Sequence, residues 1–433
     1  MAPELNATHD PARRSWVDSA NDPETDFPIQ NLPFGVFSTA GEARGGVALG
    51  ASIIDLRGLI DQGTLDEGAL NAARAACGSS LAPLLALPAA DVCALRARLS
   101  QLFGAEAVAG RSQLSAALLP MSEAQLRLPM KPPAFTDFCT SLHHIRRMSG
   151  TPDAAPRLAC MSLPVAYNGR ASSVVVSGIP VVRPNGQFED PPGSGTVRFG
   201  PEPMLDFELE FGAWLRGGNP LGTPLSIVQA QEQLFGCCLV NDWSARGIQF
   251  FEMILGPHLG KSFATTVSPW VVTMEALAPF RISAPARGEG EPAVLPYLFD
   301  PSDQSKGGLN IQLTADLVTD RGAVQRIART NVSELYWTLA QMVAHQASNG
   351  APLEAGELIA TGTVSGREEG ARACLAEITA RGTRPIHFQD GTRRVMLADG
   401  DTLTLRGKAL AEGFVSIGFG ECTGTIEPAR RTA

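Results

Sequence analysis

The sequence predicts a mainly β protein of the α+β class, with a small N-terminal β module ahead of a larger, β-rich domain. Three observations lead to this prediction. Short β-branched runs between glycine and proline turns occur near the start, an alanine- and leucine-rich stretch of helical spacing follows, and further short β-branched runs fill the rest of the chain. The length of 433 residues is enough for two domains of unequal size.

The N-terminal elements follow from local patterns. The β module begins near Asp26, and the stretch 66–105 carries alanine, leucine and arginine at helical spacing with a proline interruption, which predicts two short amphipathic helices. The proline-rich stretch Leu128–Pro133 predicts a boundary. We therefore expect an N-terminal β module with short helices over residues 1–128 and a C-terminal domain over residues 129–433.

Beyond this boundary, β-branched runs alternate with turns. Examples are Ser172–Ser177, Trp270–Thr273 and Thr402–Leu405. Few stretches have convincing helical spacing, so we expect the larger domain to be mostly β.

Composition and charge exclude several classes of protein. The formal charge is -9, and no long run of lysine or arginine could follow a phosphate backbone, so we expect no nucleic-acid partner. The polar start and the broken apolar windows predict a soluble, cytoplasmic protein with no membrane segment. The eight cysteines include no Cys-x-x-Cys pair, which favours reduced thiols over a disulfide network.

The strongest local signal is Leu205–Phe211, where acids alternate with apolar residues at the two-residue period of a strand. Asp206, Glu208 and Glu210 are then expected on one face, with apolar side chains packed on the other. Two interpretations stay open for this motif alone: a row of ligands for a divalent metal, or a strand face of solvated carboxylates.

A second candidate lies where the apolar run Phe235–Val240 meets a polar cluster that contains Asp242. If a helix begins near Asp242, Arg246 lies one turn further along it and Gln249 one turn beyond Arg246. This arrangement predicts part of a site, but the alternative is an N-cap aspartate with an i,i+4 ion pair.

A third candidate pairs Asp137 with His144. The two are seven positions apart, two turns of a helix, so one helix would project both from the same side and His143 elsewhere. This predicts a carboxylate ligand beside a general base. The alternative is an ordinary solvated or core histidine pair.

Two other chemistries find little support. The segment Gly256–Ser262 looks like a phosphate-binding loop, but it has one residue too few between its glycines, and a β-like stretch follows where a helix is needed. No Gly-x-Ser-x-Gly elbow occurs in the sequence, which argues against a serine hydrolase.

Four motifs, in order and suitably spaced, resemble the fumarylacetoacetase family: Asp26–Ser38, Gly169–Gly178, Asn241–Arg246 and Gly260–Trp270. The resemblance continues to Ile417–Gly420 near the C-terminus. It implies a small N-terminal SH3-like barrel, a large β-rich metal-dependent hydrolase domain and a homodimer.

The resemblance also implies the roles of individual residues. The divalent-metal ligands would be Asp137, Glu208, Glu210 and Asp242, with Lys261 and Thr265 near a second, lighter cation. The catalytic residues would be His144 as general base, Glu377 as the carboxylate that orients it, and Arg246 and Lys261 as oxyanion contacts. The substrate-binding residues would be Gln249, Tyr167, Thr363, Cys139 and Met253. Oxygen ligands suit Ca²⁺, Mg²⁺ and Mn²⁺ alike.

The implied reaction is hydrolysis of a carbon–carbon bond in 4-fumarylacetoacetate, the last step of tyrosine and phenylalanine (homogentisate) degradation. The cation would chelate this β-diketo acid, and His144 would activate water. Cys139 and Met253 stand where the family has tyrosines, Gly247 replaces an acid, and the short loop after His144 lacks a substrate-binding arginine, for which Arg146 or Arg147 could compensate. A hydrolase of another diketo acid, such as an acylpyruvate, and a metal-binding homologue without activity therefore stay open.

Overall fold

The structure is a computed structural model that describes residues 4–149, 156–252 and 255–431. Its N-terminal part contains five strands and five helices. The strands are β1 (Phe34–Ser38), β2 (Arg44–Leu49), β3 (Ser52–Asp55), β4 (Leu118–Pro120) and β5 (Gln125–Arg127). The helices are α1 (Leu56–Asp61), α2 (Glu67–Ala76), α3 (Ala82–Leu85), α4 (Ala89–Leu102) and α5 (Arg111–Ser115).

The remainder of the described chain is built mainly from short strands. These are β6 (Phe135–Phe138), β7 (Ala166–Gly169), β8 (Val174–Val176), β9 (Val181–Val182), β10 (Asn185–Glu189), β11 (Val197–Pro201), β12 (Leu205–Asp206), β13 (Leu209–Leu215), β14 (Leu234–Asp242), β15 (Ser244–Ala245), β16 (Thr265–Val267), β17 (Trp270–Thr273), β18 (Arg281–Ile282), β19 (Gly308–Leu309), β20 (Ile311–Val318), β21 (Val324–Asn331), β22 (Leu358–Ala360), β23 (Ile386–His387), β24 (Arg393–Arg394), β25 (Thr402–Ala409), β26 (Ile417–Gly418) and β27 (Cys422–Glu427).

Seven α-helices and several single 3-10 turns lie between these strands. The helices are α6 (Leu142–Met148), α7 (Leu158–Ser162), α8 (Ile227–Gln233), α9 (Arg246–Glu252), α10 (Pro301–Lys306), α11 (Leu339–Gln346) and α12 (Leu375–Ile378). The 3-10 turns of the whole described chain are Ala7–His9, Asp18–Asn21, Met121–Glu123, Ala171–Ser173, Ala278–Phe280, Pro296–Leu298, Val332–Glu334 and Glu369–Ala371.

One large sheet contains strands from both parts of the chain. Its order is β4-β3-β2-β1-β17-β14-β13-β22-β6-β7, with β5 beside β1, and β16 between β14 and β8. The N-terminal strands join the rest where Phe34 of β1 pairs with Val271 of β17. Among the described residues β4 pairs only with β3 and β5 only with β1, so these strands form no closed ring. The SH3-like barrel is therefore not confirmed, whereas the sheet-rich α+β class is.

The large sheet separates two cores, and alternation along β13 decides which side chain enters which core. Phe211 and Leu215 face a second sheet of order β21-β20-β25-β27-β9, with β26 beside β25, whereas Trp214 faces the N-terminal helices. The second sheet approaches closely at Gly407, where an added Cβ would lie 2.9 Å from a methyl carbon of Leu239. Burial of both faces explains why β13 and β14 are buried throughout.

Two expectations about helices were wrong. The stretch 66–105 holds three helices rather than two, because Pro83 stands in the first turn of α3, where a proline fits, instead of separating two longer helices. The C-terminal part has more helices than expected, because each is only four to eight residues long and gives too few turns for a periodic signal. In the described ranges, none of the helices has both the length and the apolar character required to span a bilayer.

Candidate active site

Four adjacent strands end together at one edge of the large sheet, and three of them, β6, β13 and β14, carry acidic residues there. Asp137 of β6 lies beside Ala360 in the parallel pair β6–β22, and Ala360 in turn lies opposite Gly212 of β13. Glu210 near the start of β13 lies opposite Val240 of β14, which ends at Asp242. The C-terminal ends of β6, β22 and β14 and the N-terminal start of β13 therefore meet at the same edge.

The acidic group at this edge consists of Asp137, Glu208, Glu210 and Asp242, whose carboxylate oxygens lie within 4.8 Å of one another. All four residues are buried. Both oxygens of Glu210 and Oδ1 of Asp137 have no hydrogen-bond donor. Burial and the neighbouring carboxylates raise the pKa of Asp137 and of Glu210 well above the ordinary range. Buried oxygens without donors, in a set of hard ligands, fit a divalent cation.

Lys261 supplies positive charge to this acidic group. Its Nζ donates to Oε2 of Glu208 at 2.5 Å and to Oδ2 of Asp242 at 2.6 Å. Burial alone would lower the pKa of Lys261, but these two carboxylates outweigh burial and raise it, so the side chain is an ammonium without a lone pair. A metal ligand from this residue would have to be its carbonyl oxygen. Lys261 also helps to lower the pKa of Glu208, against the effect of burial.

Asp242 accepts two further hydrogen bonds, from the Tyr167 hydroxyl at 2.7 Å and from Oγ1 of Thr265 at 3.2 Å. It is the last residue of β14, and no ion pair with Arg246 occurs in the described structure. The N-cap interpretation and the helix beginning near Asp242 were both wrong, because β14 continues to Asp242 and α9 begins only at Arg246.

Arg246 also contacts the acidic group, through Glu208. Its Nη1 lies 2.8 Å from Oε1 of Glu208 and donates to Oε1 of Gln249 at 3.0 Å, while Nε donates to Oδ2 of Asp206 at 2.9 Å. The structure therefore places Arg246 and Lys261 beside Glu208, and Gln249 beside Arg246.

Asp206 is not part of the acidic group, which corrects the expectation of a three-acid row. The strand pairing stops after Asp206 and resumes at Leu209, so Asp206 belongs to the separate short strand β12 and not to β13. The Asp206 carboxylate instead accepts the backbone N–H groups of Leu375 and Ala376 at the start of α12, at 2.6 and 3.0 Å. It thus ties Arg246 to the helix that carries Glu377.

The general-base candidate His144 is held by Glu377. His144 Nδ1 lies 2.6 Å from Oε1 of Glu377, and because a carboxylate only accepts, Nδ1 carries the proton and Nε2 presents a lone pair. Nε2 lies 3.5 Å from Oγ1 of Thr363. Ser365 Oγ and Arg147 Nη1 also donate to Glu377, at 2.5 and 3.0 Å. Burial would raise the pKa of Glu377, but His144 and these donors lower it to about 2.

Asp137 and His144 do not share a helix, so that expectation was wrong. Asp137 is in β6 and His144 is in α6, and the chain turns between them because Ser141 caps α6 by accepting the His144 backbone N–H at 3.1 Å. His143 points away from the His144–Glu377 pair, which we call the dyad, and its Nε2 lies 3.8 Å from a carboxylate oxygen of Glu334.

The departures from the family pattern have different surroundings. The backbone N–H of Gly247 donates to Glu202, whose carboxylate would lie 2.7 Å from a Cβ at position 247, so Glu202 occupies the space of a side chain there. Cys139 follows β6, and burial together with Glu208 and Asp137 raises the pKa of its thiol. Met253 lies outside the described residues.

The loop Gly256–Ser262 places Lys261 beside the acidic group and does not resemble a phosphate-binding loop. The backbone N–H groups of Lys261 and Ser262 both donate to the His258 carbonyl oxygen at 2.9 Å, and strand β16, not a helix, follows. The β-like expectation for this stretch is confirmed.

Two family models match the chain, one in each part. A model described as fumarylacetoacetase N-terminal matches residues 30–129, and one described as fumarylacetoacetate (FAA) hydrolase C-terminal matches residues 134–427. The chain belongs to the fumarylacetoacetase family. Both the family and the buried acids indicate a divalent metal site.

Curated relatives extend over nearly the whole chain. The fumarylacetoacetase of Oryza sativa is 40% identical over 96% of this chain and 97% of its own length. The human fumarylacetoacetase is 38% identical over 96% of this chain and 99% of its own length. Among solved structures, the fumarylacetoacetate hydrolase of Exiguobacterium antarcticum is 18% identical, covers 92% of this chain and 100% of its own, and superposes with a TM-score of 0.51, which shows a shared fold.

Proposed function

We propose that this protein hydrolyses the carbon–carbon bond of 4-fumarylacetoacetate to give fumarate and acetoacetate. The observation that carries the proposal is the pairing of His144 with Glu377 next to a buried acidic group whose oxygens lack donors. Curated fumarylacetoacetases at 37–42% identity support the same reaction.

In the proposed reaction, Nε2 of His144 takes a proton from water. The resulting hydroxide adds to the acyl carbonyl, and collapse of the tetrahedral intermediate breaks the carbon–carbon bond. The departing carbanion takes up a proton, so one water is consumed, one C–O bond and one C–H bond form, and two carboxylic acid products leave. Nδ1 stays hydrogen-bonded to Glu377 throughout, which stabilises the imidazolium that forms.

The cation would be held by Asp137, Glu208, Glu210 and Asp242, with Thr265 and Lys261 beside it. When bound, a divalent cation acts as a Lewis acid towards the oxygens of a diketo acid and draws electrons from the carbon that leaves. An all-oxygen ligand set favours Ca²⁺ or Mg²⁺, with Mn²⁺ also compatible.

Arg246, Gln249 and Lys261 are the proposed oxyanion contacts. One such donor typically contributes about a hundredfold or more to the rate. Lys261 is held as an ammonium by Glu208 and Asp242, so it also has a proton to give to the leaving carbon. Tyr167 and Thr363 would contact substrate next to Asp242 and His144, and Cys139 and Met253 are the positions that we expect to adjust specificity.

The finer organisation is also proposed. A division into residues 1–128 and 129–433 is supported by the family matches, which end at 129 and resume at 134 on either side of the proline-rich stretch. An SH3-like N-terminal module is supported by the five antiparallel strands around β1. A homodimer is supported by exposed Phe199, Phe250 and Phe251, and a cytoplasmic location by eight unpaired cysteines.

A second candidate substrate is another β-diketo acid, such as an acylpyruvate. Cys139 favours it, because a half-buried thiol close to Asp137 replaces a tyrosine that would donate a strong hydrogen bond to a substrate carboxylate. The chemistry would be unchanged and only the recognised acid would differ.

A comparison of two substrates tests the proposal. Metal-replete protein is mixed with fumarylacetoacetate and, separately, with acetylpyruvate, and the loss of ultraviolet absorbance is followed with and without chelator. We expect metal-dependent cleavage with fumarylacetoacetate as the better substrate by kcat/KM. A preference for acetylpyruvate would support the second candidate. If neither substrate were cleaved, the result would support a metal-binding homologue without activity.

A further inference from the structure

The Glu377 carboxylate is shared between two groups of donors, one on each oxygen. Oε1 accepts from His144 at 2.6 Å and from Ser365 at 2.5 Å. Oε2 accepts from Arg147 Nη1 at 3.0 Å. The side chain of Glu377 is fully buried, so in the intact protein both of its oxygens depend on protein donors.

Arg147 also contacts the 363–367 segment, which carries Thr363 and Ser365 beside His144 and Glu377. Its Nη2 donates to the carbonyl oxygens of Gly366 and Arg367, both at 2.9 Å. These residues directly follow Thr363 and Ser365, which contact His144 and Glu377. One planar guanidinium on α6 therefore joins the His144 helix, the 363–367 segment and the Glu377 carboxylate.

The contacts of Arg147 suit a role in orienting Glu377 and not in contacting the substrate. Donors to both oxygens hold the Glu377 carboxylate in one plane. Rotation of the carboxylate about its Cγ–Cδ bond would move Oε1 away from His144. The Arg147 guanidinium donates to Glu377, Gly366 and Arg367, so it is not placed to compensate for the missing substrate-binding arginine. It would act on the reaction only through Glu377.

We propose that Arg147 is a positioning residue that locks Glu377, and through it the Nδ1–H tautomer of His144, in the orientation needed for water activation. The inference rests on the proposed function. It predicts that loss of Arg147 lowers kcat and leaves KM nearly unchanged, because substrate binding does not involve the guanidinium.

The test uses full-length, metal-replete protein and fumarylacetoacetate. Arg147→Gln is expected to lower kcat by roughly tenfold to a hundredfold, with KM within about twofold of wild type. Arg147→Lys keeps the charge but cannot reach all three acceptors, so it should lose several-fold. In Arg147→Ala, millimolar guanidinium is expected to restore kcat, since a fifth of the Arg147 side chain is accessible to solvent.

Arg372→Gln is the matched control. Arg372 has 19% side-chain exposure against 20% for Arg147 and forms one ion pair, with the exposed Glu369 at 2.9 Å. Its substitution should leave kcat at the wild-type value.

Three results would overturn the inference: wild-type kcat in Arg147→Gln, a loss confined to KM, or no effect of guanidinium on Arg147→Ala. If Arg147→Gln does not fold, Arg147→Lys decides, because wild-type kcat in that variant contradicts a positioning role. Inactivity of the wild-type protein on every diketo acid would instead be a failure of the proposed function.

Discussion

The acidic group and the His144–Glu377 dyad are both buried, yet their electrostatics are opposite. In the acidic group, Glu210 has no donor for either oxygen and its pKa is raised. In the dyad, both oxygens of Glu377 have donors and its pKa is lowered to about 2. The first region leaves buried oxygens without donors, which fits a cation site, whereas the second has protein donors for both oxygens. Buried oxygens without donors therefore distinguish the proposed ligand site from the proposed base, whose carboxylate partner is fully hydrogen-bonded.

The largest effect is expected from His144→Ala, which removes the proposed base and leaves the acids in place. General-base catalysis is worth about 10²–10⁴ in rate, so kcat should fall by that factor while metal affinity stays near wild type. Steady-state hydrolysis and calorimetric metal titration measure the two quantities. His143→Ala is the neighbouring control and should keep its kcat. An activity of His144→Ala within about tenfold of wild type would contradict its role as general base.

Glu377→Gln should destabilise the protein, because it leaves Arg147 and Ser365 with a neutral partner in a buried place. Removing one partner of a buried ion pair costs about 3–5 kcal/mol. The folded pKa of Glu377 lies below its unfolded value, so its contribution is fully present above about pH 4.5 and is lost as pH falls through about 2. Urea unfolding from neutral to acidic pH measures this, and an unchanged free energy of unfolding at neutral pH would contradict the comparison.

Glu210→Gln should have the opposite effect and stabilise the metal-free protein. Removal of a charge that is buried among other carboxylates is expected to raise the free energy of unfolding by roughly 1 kcal/mol or more, while metal binding weakens. Glu202→Gln is the matched control. The buried Glu202 carboxylate accepts the N–H groups of Met204, Gly247 and Ile248, so this substitution should destabilise the protein. Destabilisation of both variants would show that the acidic group is not strained without a cation.

The smallest expected effect is a pH dependence of metal stabilisation. Asp137 and Glu210 have folded pKa values above their unfolded values, so stability of the metal-free protein is lost as pH rises through the raised pKa values. Protons and cation compete for the same oxygens. The increase in thermal midpoint on adding Ca²⁺ or Mg²⁺ should therefore be larger at about pH 8 than at about pH 5. An equal increase at both would contradict the competition.

Local patterns predicted much of the sheet but less of the site. The alternation in Leu205–Phe211 correctly predicted that Glu208 and Glu210 share a face, because that information lies within a few residues. The same pattern failed for Asp206, whose carboxylate is directed by the start of α12, 169 positions away. The Asp137–His144 spacing suggested a helix, but the cap at Ser141 was the local signal that mattered.

Long-range partners were recoverable only through family resemblance. Glu377 is 233 positions from His144, and no periodicity links residues at that distance. The ion pair of Arg147 with Glu377 spans 230 positions and has no local signature, so a role in the dyad could not be predicted from sequence. Such contacts are decided by which strand edges and helix ends meet in the folded chain.

The most direct test of the account is metal add-back to chelator-treated protein with fumarylacetoacetate as substrate. We expect hydrolysis to disappear on chelation and to return in proportion to the divalent cation bound at the acidic group. Full hydrolysis by metal-free protein, or stoichiometric metal binding without any hydrolysis, would contradict it.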